Sequence, residues 1–80
     1  MKEFLTKLIS YIITEGTSFE INEELAEGLT VFTILVPETE IGKIIGKEGK
    51  VISAIRTLSR LKAIKEQKRI LVKVDKLPQS

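Results

Sequence analysis

The stretch Ile44 to Ile52 reads IIGKEGKVI. Gly46 and Gly49 stand three apart, with Lys47 and Glu48 between them and Lys50 directly after. Glycine has no Cβ, so a backbone built on this pair can approach a ligand that other residues would hold away. Lys47 and Lys50 place positive charge on either side of that approach. The chemistry this pattern supports is the binding of an anion, and of a phosphodiester in particular. A surface turn that merely needs glycine freedom would explain the two glycines, but it leaves the lysines unexplained.

The flanking pattern supplies elements to position the pair. Phe4, Leu5, Leu8, Ile9 and Ile12 recur at helical spacing, which predicts an amphipathic helix over ~3–14 ended by Gly16. Phe19 and Ile21 then alternate with polar residues, and LTVFTILV at 29–36 is rich in β-branched residues. Ala26-Glu27-Gly28 between them suits a hairpin. Pro37 closes the second strand because it cannot donate to a ladder. Thr39 is an N-cap candidate for a short helix at about 40–45.

From Lys50 a helical pattern runs to about Glu66, with Val51, Ala54, Ile55, Leu58 and Leu61 as its apolar stripe. Lys50, Ser53, Arg56 and Arg60 fall on the opposite side. GKEG therefore lies between a short helix and a long one. Unpaired N–H groups and the positive end of a helix dipole meet an anion at such a terminus. Lys43, on the short helix, is a further candidate contact. The last strand is ILVKVD at 70–75, before the tail KLPQS.

The order is helix, strand, strand, helix, helix, strand. Two helices connect strand 29–36 to strand 70–75, which suits parallel pairing through a right-handed crossover. The expected fold class is α+β: two layers, a three-stranded mixed sheet with all helices on one face. Residues 1–76 are expected to form one domain and 77–80 a frayed tail.

Composition narrows the function. The chain has 80 residues, 42% hydrophobic and 30% charged, with no cysteine and no histidine. Disulfide frameworks and thiolate metal sites are excluded, as are the commonest general base and the commonest metal ligand. No stretch approaches the ~20 apolar residues of a membrane span, and Glu3 and Lys7 break up the N-terminal apolar run. A soluble, cytoplasmic protein is expected. The net charge of +2 conceals an asymmetry, because residues 1–40 carry −6 and residues 41–80 carry +8. Such a division points to nucleic acid or another anionic surface on one side of the molecule.

Enzyme readings fare badly. Only three residues separate Gly42 from Gly46 and no Ser or Thr follows Lys47, so GKIIGKEGK is not a Walker A loop. Carboxylates lie in the hairpin and its flanks without a nucleophile or base to complete a site. The cluster Glu20, Glu23, Glu24 and Glu27 lacks metal-ligand spacing. No catalysis, cofactor or metal is expected.

IIGKEGKVI resembles the KH-domain signature: an aliphatic-isoleucine pair, a GXXG loop, two more residues and an aliphatic. The element order is similar to that of the type II, or prokaryotic, KH fold. The run PETEIGKIIGKEGKVISAIRTL resembles the bacterial single-KH-domain RNA-binding proteins, the KhpA-like group. This resemblance implies that about four nucleotides of single-stranded RNA sit in a cleft with the loop clamping the backbone. Gly46, Lys47, Glu48 and Gly49 carry over as the clamp, with Ile45 and Ile52 as aliphatic supports. Glu48 departs from what a phosphate would favour and is expected to face solvent. A single KH cleft binds weakly, so the working unit is expected to pair clefts as a homodimer or as a heterodimer with a second RNA-binding protein. Two other readings are a protein-interaction module, with RNA binding secondary, and a helix-turn-helix DNA reader.

Overall fold

A computed structural model describes residues 1–78 of the chain. Its elements are α1 (Lys2–Ser10), β1 (Glu20–Ala26), β2 (Leu29–Val36), α2 (Glu38–Ile45), a 3-10 turn (Lys47–Gly49), α3 (Lys50–Lys65) and β3 (Ile70–Lys76). The three strands form one mixed sheet in the order β1-β2-β3. β1 runs antiparallel and β3 parallel to β2. This is the α+β type II KH fold expected from the element order.

The core follows from the two periodicities. α1 contributes Leu5 and Ile9, and Ile13 follows just beyond its end. β2 contributes Phe32, Ile34 and Val36 at alternate positions, and Ile21, Ile44, Ile52, Ile55 and Val72 complete the cluster. Truncating any of these large side chains to alanine would cost about 2–5 kcal/mol.

Three local expectations need correction. α1 stops at Ser10, with Tyr11 as its C-cap, and does not continue to residue 14. The chain turns back there through bonds from the Ile12 and Ile13 N–H groups to the Ile9 carbonyl, and the Thr14 N–H donates to Glu40 Oε1 at 2.7 Å. A partner on α2 thus competes with a fourth helical turn. α2 starts at Glu38 with Pro37 in the N-cap position and no side-chain cap, so Thr39 lies inside the helix.

On α3 the face that packs is rotated from the expected apolar stripe, and Ile55 is the one stripe residue that is fully buried. The buried residues are Ile52, Ile55, Ser59 and Ala63. Ala54, Leu58 and Leu61 are exposed. Ser59 can sit in the core because its hydroxyl donates to the Ile55 carbonyl at 2.7 Å.

At the C-terminal end, the Leu77 N–H donates to the Val36 carbonyl at 2.9 Å, which continues the β3 ladder one step past Lys76. Of the expected tail 77–80, Gln79 and Ser80 lie outside the described residues.

Candidate nucleic-acid interface

The two glycines of GKEG hold different backbone conformations for different reasons. Gly46 has φ 76° and ψ 175°, a region nearly confined to glycine. A Cβ there would collide with the Val51 side chain, at 2.7 Å from its Cβ, and would stand 2.9 Å from its backbone nitrogen. The close approach of loop to helix is what excludes a side chain. Gly49 is left-handed, φ 74° and ψ 15°, and a Cβ on it would meet nothing within 4 Å. Its outer face opens to solvent.

Glu48 is also left-handed, at φ 57°. Lys50 returns to the right-handed helical region. The resulting left-to-right step at Gly49–Lys50 is the backbone pattern of an anion-binding nest. Two of the nearby amides are already used: Gly49 N–H donates to Gly46 O at 3.2 Å, and Lys50 N–H donates to Lys47 O. The amides of Lys47 and Glu48 make no such bond among the described residues. The donors left to an incoming anion therefore include the tip of the turn as well as the first turn of α3.

Lys47, Glu48 and Lys50 are exposed, as are Ser53, Arg56 and Arg60 along α3. Glu48 faces solvent and lies 3.9 Å from Lys50 Nζ. Both side chains are more than two-thirds exposed, so this pair contributes little and is readily exchanged. Ile52 is buried in the core, while Ile45 is half-buried against it.

Lys43 is placed differently from the other candidates. Its ammonium is 3.3 Å from Glu40 Oε2 and also donates to the Thr14 hydroxyl. The Thr14 N–H donated to its carboxylate holds Glu40 below its ordinary pKa of 4.5, against the opposing effect of burial and with help from the Thr14 hydroxyl and Lys43. Glu40, Thr14 and Lys43 thus pin the α1–β1 connection to α2, and the half-exposed Lys43 already has its charge paired with Glu40.

The structure also adds a surface that the sequence pattern did not single out. Thr30 N–H donates to Arg69 O and Leu77 N–H to Val36 O. Odd-numbered residues of this segment therefore turn their backbone groups toward β2, and Ile70, Val72 and Val74 turn theirs to the free edge. Arg56 Nε donates to the Val72 carbonyl on that edge at 3.2 Å. Arg56 and Arg60 line a hollow with Ile70, Leu71 and Val72. The one sequence signal of this edge was the basic pair Lys68-Arg69 just before the strand. A larger open hollow, about 730 Å³, lies at the opposite edge, among Thr6, Thr17, Ser18 and Asn22, away from the basic loop.

No helix among the described residues is long and apolar enough to cross a membrane. No group of three or more acidic side chains there could hold a metal ion.

Comparison with known proteins places this geometry. The family model described as KhpA/KhpB, KH domain, matches residues 2–74. The chain is 32% identical over 74 residues to the RNA-binding protein KhpA of Clostridium perfringens, covering 92% of this chain and 99% of that protein. It is 35% identical over 75 residues to the RNA-binding protein KhpA of Thermotoga maritima, covering 92% and 97% of the two chains. The RNA-binding protein KhpA of Chlamydia pneumoniae is 41% identical over 58 residues, 72% of this chain and 74% of its own.

Proposed function

The chain belongs to the KhpA/KhpB KH-domain family, and we propose that it is an RNA-binding module that holds single-stranded RNA in the cleft bounded by GKEG, α3 and the β3 edge. About four nucleotides fit such a cleft. The observation that carries the reading is the turn itself. Gly49 presents bare backbone to solvent at the start of a 16-residue helix, between the exposed Lys47 and Lys50. It lies in residues 41–80, which carry a net charge of +8. The relatives' description as RNA-binding proteins points the same way.

Within this reading Gly46 shapes the turn and Gly49 admits the phosphate. Lys47 and Lys50 neutralise charge, and Glu48 swings outward. Ile45 and Ile52 support the loop from below. Ser53, Arg56 and Arg60 extend the contact along α3. Lys43 acts through Glu40, by holding α2. The protein works in the cytoplasm as a binder, without catalysis.

Filter binding with single-stranded RNA, single-stranded DNA and duplex tests the proposal. Lys47→Asp combined with Glu48→Asp should abolish RNA binding and leave the fold intact, because both positions are exposed and aspartate tolerates the left-handed backbone of residue 48. Full RNA affinity in the folded double variant would remove the clamp. With about three phosphates neutralised, log K against log salt should slope at about −2.

A second reading concerns partners. Leu58, Leu61 and Ile64 are 46%, 57% and 64% exposed on α3, whereas Ala63, on the same helix, is buried and adds nothing to that surface. A second chain seated there would pair two weak clefts and raise affinity through effective concentration. Sedimentation with and without RNA separates this from a monomeric binder.

A further inference from the structure

Arg56 is tethered in a way that the other cations of the candidate cleft are not. Its Nε–H donates to the Val72 carbonyl, which points out of the free edge of β3. That bond anchors the guanidinium against the strand and occupies the edge's acceptor at that register. The remaining Nη N–H groups make no hydrogen bond or ion pair among the described residues. Arg60 lies one turn further along α3 and lines the same hollow. A guanidinium donates and never accepts. The two polar side chains lining this hollow, Arg56 and Arg60, therefore offer hydrogens and no lone pairs, and the Val72 carbonyl is already taken.

We infer that Arg56, held in place by Val72, makes the cleft selective for a base presenting two adjacent acceptors, as guanine does with O6 and N7 and cytosine with O2 and N3. The inference rests on the single-stranded RNA reading above and assigns its sequence preference. A planar fork matches two adjacent acceptors with two parallel bonds. Adenine instead sets its N6 amino group beside N7. That donor would abut the guanidinium unpaired, which is the costly outcome in a desolvated site. Uracil separates its two acceptors with the N3–H donor and fails for the same reason. Lys47 and Lys50 contribute charge without sequence information, because phosphate contacts position while base contacts specify. Arg60 makes no side-chain hydrogen bond among the described residues, so its fork is not anchored to the strand.

Fluorescence anisotropy with eight-nucleotide oligo(C), oligo(A), oligo(U) and alternating GU oligomers tests this. Wild-type protein should bind oligo(C) and the GU oligomer at least about fivefold more tightly than oligo(A) and oligo(U), the lower end of what one bidentate contact supplies. Arg56→Lys keeps the charge and should bring all four within about twofold, through lost affinity for oligo(C) and the GU oligomer. Arg56→Gln keeps one amide donor for Val72 but loses the fork, so it should lose both discrimination and some affinity. Arg60→Lys should retain the preference. Equal binding of the four oligomers by wild type would overturn the inference while leaving RNA binding intact. A preference that persists in folded Arg56→Lys or Arg56→Gln would overturn it equally. Failure of wild type to bind any of the four would remove the RNA reading itself, and the inference with it.

Discussion

The chain uses the dipeptide Glu-Gly three times, and at two of them both residues take nearly the same positive φ. Glu27 and Gly28 have φ 51° and 78°, and Glu48 and Gly49 have φ 57° and 74°. At Glu27-Gly28 the two residues bridge Ala26 and Leu29, which pair across β1 and β2, so the turn closes a two-residue hairpin. At Glu48-Gly49 they lead into α3. Glu23 and Glu24 stand near the first turn, and Lys47 and Lys50 flank the second. Neither glycine has a neighbour within 4 Å of a notional Cβ. A left-handed glycine is therefore a statement about backbone only. Its surroundings decide whether it only turns a chain or is also fitted to receive an anion: the helix N-terminus, the flanking cations and the close packing of Gly46 on Val51.

The largest effect should come from breaking that last feature. Gly46→Ala forces a side chain into Val51 and into a backbone region almost reserved for glycine. It should cost at least about 3 kcal/mol, combining strain with overpacking. Urea denaturation measures this directly, and a loss below ~1 kcal/mol would mean that the loop can move away from α3.

Gly28→Ala and Gly49→Ala sharpen the comparison, since both place alanine in left-handed backbone with open space around it. Each should cost about 1–2 kcal/mol of stability. Only Gly49→Ala should weaken RNA binding, by about tenfold or ~1.4 kcal/mol. Equal losses of RNA affinity in the two variants would erase the functional difference between the turns.

Smaller still, and visible only against pH, is the pin behind α2. The folded pKa of Glu40 lies below its ordinary value of 4.5. Its contribution is present above that value and is lost as pH falls through the depressed folded pKa. Glu40→Gln should thus melt earlier than wild type at pH 7, with the gap closing as the pH falls from 4.5 through the lowered folded pKa. A gap independent of pH would show that the carboxylate's charge plays no part in holding Thr14.

Much of this architecture is legible in the sequence, because hydrophobic period and turn residues agree. The alternation at Phe19 and Ile21, the β-branched run 29–36, Pro37 and the Ala26-Glu27-Gly28 turn place the strands, and IIGKEGKVI places the loop between two helices. What was not legible depends on distant partners. Nothing near Thr14 shows that its amide will meet Glu40, so α1 reads as longer than it is. On α3, Leu58 and Leu61 fit a helical stripe as well as Ile52 and Ile55 do, and the packing face passes through Ser59, which hydropathy alone would leave outside. The carbonyl that receives Arg56 is invisible for the same reason, since a strand edge has no side-chain signature. The separate duties of Gly46 and Gly49 also appear only once Val51 is in place beside one of them.

The proposal that RNA meets the Glu48-Gly49 turn and not the Glu27-Gly28 turn is tested most directly by amide chemical shifts during titration with a single-stranded RNA octamer. Shifts are expected at Lys47 through Ser53, at Arg56 and along Ile70 to Val74, with Glu23 through Gly28 unmoved. Shifts centred on the hairpin, or none at Lys47 through Lys50 at saturating RNA, would contradict it.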